Sequence, residues 1–194
     1  VVNVKSIEDK IKHDVKSVEY YIKDQLSSFK GVSTEIVERV KPFVHFGLTS
    51  QDITTVSLWM QLKDANQELS SQLKDIIKAL REFFNNFKSV AIISRTHGQI
   101  ATPTTFGKEF MVFGERLHYQ LMQVNQTLAS ARVKFGGCIG NFNAHHAAYP
   151  NIDWLAFADK FISDLGFGQR AQFTTQVDHY DMMCAYFDCI KRMN

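Results

Sequence analysis

Three polar segments interrupt an otherwise helix-patterned chain, and each carries groups able to hold an anion or move a proton. The richest is Ser94 to Glu109, which places His97, Arg95, Gln99 and the hydroxyls of Thr96, Thr102, Thr104 and Thr105 within sixteen residues. An imidazole exchanges protons near neutral pH, and Gly98 beside it lets a substrate come close to the backbone. The bland alternative for a single loop histidine is a structural hydrogen bond, and spacing alone identifies no reaction. A second segment, His45 to Asp52, sets Thr49 and Ser50 at the start of a long helical pattern, where hydroxyls and free N–H groups suit a carboxylate or phosphate. Plain helix capping explains the same two residues. The third, Gly136 to Pro150, combines glycines with His145 and His146. Adjacent histidines diverge on most backbones. No zinc-like spacing links them to His118 or His179, so a metal is not expected.

Long helices must carry these loops. Apolar residues at Val4, Ile7, Ile11, Val15, Val18, Ile22 and Leu26 predict one helix ending near Gly31, and Ile36, Val37 and Val40 a short one stopped around Pro42. Residues 43–49 should form a loop. From Gln51 to Phe87 there is neither Gly nor Pro, and the stripe Leu62, Leu69, Leu73, Ile76, Leu80, Phe83, Phe87 predicts a helix of about 50 Å. Helices this long are normally stabilised against other long helices. Val90 to Ile93 reads as an extended connection. Thr102-Pro103 then looks like an N-cap and first turn, opening a second long helix whose stripe runs from Phe106 to Phe135 in heptad-like steps. Gly136, Gly137 and Gly140 end it, and residues 141–151 form an irregular turn. Asp153 is placed to cap a helix from Trp154 to Leu165 stopped by Gly166, and a last helix runs from near Asp178 to Asn194. The expected class is all-α.

The chain's 194 residues are 45% hydrophobic and 22% charged, with a net charge of only +2. That profile belongs to a folded chain rather than a disordered one. The near-balanced charge argues against nucleic acid as a partner and favours a small anion held by a few placed groups. Cys138, Cys184 and Cys189 are an odd set without CxxC spacing, so they read as reduced thiols in a cytoplasmic protein. No stretch has the length of a membrane span, and Val1 to Lys5 has no signal-peptide profile. The absence of an initiator Met reads as an internal fragment.

Ser94 to Glu109 resembles the SRTHGQ-x-A-TP-[ST]-T-x-GKE signature of bacterial-type adenylosuccinate lyases, in the fumarase/aspartase superfamily. His45-Phe46-Gly47-Leu48-Thr49-Ser50-Gln51-Asp52-Ile53 is similar to that family's HF-x-x-TS-x-DI segment. Gly140 to His145, Ala148-Tyr149-Pro150 and Thr174-Thr175-Gln176 resemble further landmarks. The likeness spans the chain from about Lys41 onward.

The resemblance implies a long-helix bundle of the fumarase/aspartase type and anti β-elimination of fumarate from adenylosuccinate and from a related succinyl-carboxamide ribotide. No cofactor or metal is implied. His97 would be the general acid and Thr96 a substrate contact, with Thr49 and Ser50 on the succinyl carboxylate and Gln176 on the ligand. Family members are homotetramers whose sites borrow segments from three subunits, so a second copy of the chain is an expected partner. Residues 1–194 would be the central region of a larger lyase, with the end of an N-terminal domain in 1–45. Ile100 departs from the proline of many relatives. Nothing matches the family's serine-, methionine- and lysine-containing loop that supplies the base, or its N-terminal phosphate-binding segment, so these residues alone are expected to be inactive. Two rivals are a non-enzymatic helical assembly module, which leaves the dense polar segment unexplained, and a sister lyase such as argininosuccinate lyase, aspartase or fumarase. The RTHGQ-to-GKE wording together with HFGLTS favours the purine enzyme over both.

Overall fold

The computed structural model describes residues 1–194 and is dominated by helices: α1 (Val2–Ile11), α2 (Asp14–Ser27), α3 (Thr34–Val40), α4 (Ser50–Phe87), α5 (Phe106–Ala129), α6 (Asn143–Ala148), α7 (Trp154–Asp164) and α8 (Asp181–Met193). Four short strands accompany them: β1 (Ala91–Thr96), β2 (Gln99–Thr105), β3 (Arg132–Val133) and β4 (Gln169–Arg170). No helix is long and apolar enough to cross a membrane. The chain divides into two compact units, residues 1–59 with 132–179, and residues 60–131 with 180–194. Helix α4 is a member of both.

In the first unit the single helix expected over the opening residues is two. Lys12 turns left-handed at φ 56°, and His13, in extended geometry, caps α2 by accepting the Lys16 N–H on Nδ1 at 3.2 Å. An imidazole acceptor at the N-cap competes with helix continuation, and apolar periodicity does not register it. Pro42 stops α3 in a 3₁₀ turn, Lys41–Phe43, as expected. Asp153 caps α7 by accepting the Ala156 N–H at 2.9 Å, and Gly166 follows at φ 83°. Strands β3 and β4 pair in parallel. Around them the core is apolar and aromatic: Trp59, Val133, Phe135, Phe142, Trp154, Ala158 and Ile162 are all buried.

In the second unit Thr102-Pro103 begins no helix. The two residues sit in β2, which pairs antiparallel with β1 and sets Pro103 opposite Ile93. Pro103 is tolerated because this sheet has two strands, both of them edges. The helix starts three residues later, at Phe106 after Thr105. It also ends early, at Ala129. Phe135, read from the sequence as the end of its stripe, instead packs in the first unit against Phe161, ring centroids 5.1 Å apart. The α4 and α5 ends adjoining the hairpin share an aromatic cluster in which Phe83 lies 4.4 Å from Phe110 and 4.5 Å from Phe87. Deeper in this unit, Asn66 Nδ2 donates to Asn125 Oδ1 at 2.8 Å and Tyr186 Oη to Asn66 Oδ1 at 3.4 Å, tying α4, α5 and α8 in one register.

Residues 143–148, expected to be irregular, form the short helix α6. The last helix begins at Asp181, slightly later than its pattern suggested.

Candidate functional site

Helix α4 opens with Ser50, after Thr49. Its cap is not a hydroxyl but the Asp52 carboxylate, which reaches back one turn to accept the Thr49 N–H at 2.8 Å, as in one half of a capping box. Asp52 is buried and accepts three further bonds. Lys134 Nζ and the Gly136 N–H reach Oδ1 at 2.8 and 2.9 Å, and the Gly137 N–H reaches Oδ2 at 3.2 Å. Lys134 is itself fully buried and donates also to the Gly137 carbonyl at 2.6 Å. The hydroxyls of Thr49 and Ser50 are partly exposed, and neither accepts a bond from a backbone N–H. Simple capping therefore does not account for them.

Ser50 Oγ instead lies 3.5 Å from His13 Nε2. With Nδ1 accepting the Lys16 N–H, the neutral His13 ring carries its hydrogen on Nε2, directed at that oxygen. Sequence reading missed His13, which falls within the regular step from Ile11 to Val15 and so leaves the apolar stripe unbroken.

The loops beside this helix start are held by close backbone contacts. A Cβ on Gly47 would stand 2.6 Å from His145 Cε1, and one on Gly137 would stand 2.9 Å from the Gly47 carbonyl oxygen. Gly140 lies against the Thr174 backbone too closely to admit any Cβ. Gln176 is exposed, and its segment joins α4 where the Asp178 N–H faces Gln51 Oε1 at 3.5 Å. Asp178 is buried, and burial raises its carboxyl above the usual range against the pull of the His179 N–H and of Lys134. Burial also lowers His145 and His45 below the ordinary histidine value, so both rings favour the neutral form. The first unit thus carries Thr49, Ser50 and Gln176, with a glycine-rich framework beside the α4 start.

Thr96 and His97 belong to the second unit. Thr96 pairs with Gln99, which makes His97-Gly98 a two-residue hairpin turn. Both turn residues have positive φ, 52° and 74°, the type I′ geometry that favours Asn, Asp or Gly at its first position. A histidine held there costs on the order of 1 kcal/mol of backbone strain. His97 is exposed at the tip, and a Cβ on Gly98 would meet nothing within 4 Å. Other signature residues are structural. Thr104 Oγ1 donates to Glu109 Oε1 at 3.0 Å, and Ser94 Oγ donates to the Thr102 carbonyl. A Cβ on Gly107 would collide with the Phe84 carbonyl at 2.7 Å and the Lys88 nitrogen at 2.8 Å.

His145 is 2% exposed and His146 is exposed, so the two do not converge. No group of three His, Cys, Asp or Glu side chains stands together as a metal would require.

The chain is thus a long-helix protein with polar loops at its helix breaks, hydroxyls at one helix start and a strained histidine at a hairpin tip. Residues 1–194 match the family described as Lyase, and the chain belongs to it. It is 43% identical over 194 residues to the adenylosuccinate lyase of Dictyostelium discoideum, covering 98% of this chain and 41% of that protein. Against the adenylosuccinate lyase of Escherichia coli it is 36% identical over 192 residues, covering 98% and 40%. The chain therefore spans about two fifths of the length of these relatives. A fumarate lyase structure from a Mesorhizobium species superposes with a TM-score of 0.78 at 17% identity, covering 98% of this chain and 41% of that one. The 3-carboxy-cis,cis-muconate lactonizing enzyme of Pseudomonas putida gives 0.76 at 18%, covering 97% and 40%. At such identities the two structures establish the fold alone.

Proposed function

We propose that the chain is the central region of an adenylosuccinate lyase, with the end of an N-terminal domain in residues 1–45. In this reading a base takes the proton from the succinyl Cβ, and that electron pair becomes the carbon–carbon double bond of fumarate. The carbon–nitrogen bond breaks, and His97 gives the departing purine nitrogen its proton, leaving AMP. The succinyl-carboxamide ribotide reacts in the same way. Thr49 and Ser50 hold the succinyl carboxylate, Thr96 contacts substrate beside the acid, and Gln176 contacts the ligand.

The observation that carries this reading is the strained histidine: a turn that prefers Asn or Gly holds an imidazole at its exposed tip, and strain of this kind is kept where function needs the side chain. Hydroxyls left free of capping duty at the α4 start support the carboxylate role. His13, facing Ser50, is added to the substrate contacts. The 33–43% identity to adenylosuccinate lyases over nearly the whole chain favours this substrate over those of sister lyases.

The base is assigned to the family's serine loop, which nothing in residues 1–194 matches, so these residues by themselves should show no turnover. The finer expectations are a homotetramer with sites shared between copies and a cytoplasmic location. Reduced thiols support the location, and apolar residues exposed on α4 and α5 support the assembly.

Turnover of adenylosuccinate by the full-length lyase, followed by absorbance, tests the reading, with argininosuccinate, aspartate and malate as alternatives. His97→Asn suits the turn but donates no comparable proton, so kcat should fall by about 10²- to 10⁴-fold with Tm unchanged or higher. Undiminished kcat would remove the acid assignment. Elimination from another substrate alone would overturn the purine.

A further inference from the structure

The geometry points to Lys134 as a positioning residue for substrate binding, one that cancels the charge of Asp52 beneath the Thr49–Ser50 anion site. This rests on the proposed reading of that site as the seat of the succinyl carboxylate. Asp52 is 2% exposed, and its side chain lies in the first turn of α4, where the helix N-terminus would otherwise favour an anion. A bare carboxylate here would repel the substrate's own. Lys134 Nζ, fully buried at 2.8 Å from Oδ1, supplies the compensating charge. It comes from the residue just after β3, 82 residues further along the chain, so helix capping by itself does not explain it.

Mechanically, the same pair joins two loops. Asp52 holds the backbone of Thr49 and of Gly136-Gly137, while Lys134 holds the Gly137 carbonyl. Asp178, buried nearby, is the second acidic group acting on Lys134. Neither Asp52 nor Lys134 is assigned contact with substrate. Their effect passes through the charge and placement of the residues that are.

The charge argument predicts opposite outcomes for the two partners, whereas a purely structural pair would be damaged alike by losing either one. In the full-length lyase, Lys134→Met leaves Asp52 uncompensated and should raise KM for adenylosuccinate by about tenfold or more, with kcat changed less than about threefold. Asp52→Asn leaves the cation, and KM should stay level or fall. Should Lys134→Met fail to fold, the double variant Asp52→Asn/Lys134→Met, which buries no unpaired charge from this pair, carries the test with KM within about threefold of the parent. Unchanged KM in folded Lys134→Met, or a tenfold rise in Asp52→Asn, would overturn the inference while leaving parent turnover, and the functional reading, intact. If the parent does not turn over adenylosuccinate, fumarate titrated calorimetrically into parent and Lys134→Met makes the same comparison through Kd. A parent that binds no fumarate either overturns both.

Discussion

His145 has the least ordinary setting of any histidine in the chain. Its ring meets Phe46 edge-on at 5.4 Å and lies 4.8 Å from Trp154, it is pressed by Gly47, and its Nδ1 has no hydrogen-bond partner. Burial, the dominant influence, lowers its pKa. The unfolded chain takes up this proton near pH 6.5, while the folded protein resists it. The stability contributed is therefore complete above about pH 6.5 and is lost as the pH falls through the depressed folded value. His45 acts in the same direction. Asp178 acts oppositely, since its raised carboxyl contributes stability that is complete below about pH 3.9 and lost as the pH rises through its folded value. His145→Gln should flatten the fall in Tm between about pH 6.5 and pH 5 relative to the parent. Parallel Tm curves for the two proteins would show that the buried ring contributes nothing to acid sensitivity.

At the scale of elements, the Ser94 to Glu109 signature divides between chemistry and assembly. Its histidine occupies a turn, whereas its glycine sits where the start of α5 crosses the end of α4. In an ordinary exposed helix, Gly→Ala stabilises by about 1 kcal/mol. Here the added Cβ would stand 2.7 Å from the Phe84 carbonyl, and backbone cannot yield as a side-chain tip can. Gly107→Ala is expected to cost about 1–3 kcal/mol, read as a lower urea midpoint at constant slope. A midpoint at or above the parent's would mean that the α4–α5 contact is looser than it stands. The hairpin also explains why the Thr102-Pro103 expectation failed: Thr-Pro suits a helix start, yet pairing with β1 decided the outcome. A two-residue turn with both φ positive lets that pairing form, and neither residue type nor hydrophobic period announces it when the first position is histidine.

For the whole molecule, the exposed apolar residues of α5 carry the next prediction. Val112, Tyr119 and Met122 are 43%, 55% and 55% exposed, and their spacing of seven and then three residues places them on one helix face. Exposed apolar residues on one face of a long helix are what a bundle between copies of a chain would cover. Tyr119→Lys/Met122→Lys in the full-length lyase should lower its sedimenting mass below the parent's and, under the proposed sharing of sites between copies, reduce activity with it. An unchanged mass would place the assembly face elsewhere.

The sequence alone determined the helical class, the span of α4, the stops at Pro42 and Gly166, the Asp153 cap and the family, because periodicity, caps and extended motifs are local and survive without tertiary contacts. The residues resembling family site positions were legible for the same reason. Only the tertiary structure decided which groups are consumed in holding the framework. It buried Lys134 against Asp52, turned His13 toward Ser50, and packed Phe135 against Phe161 in an aromatic core. Each depends on partners tens of residues away, where the balance of desolvation, charge pairing and close backbone approach is settled by the fold as a whole.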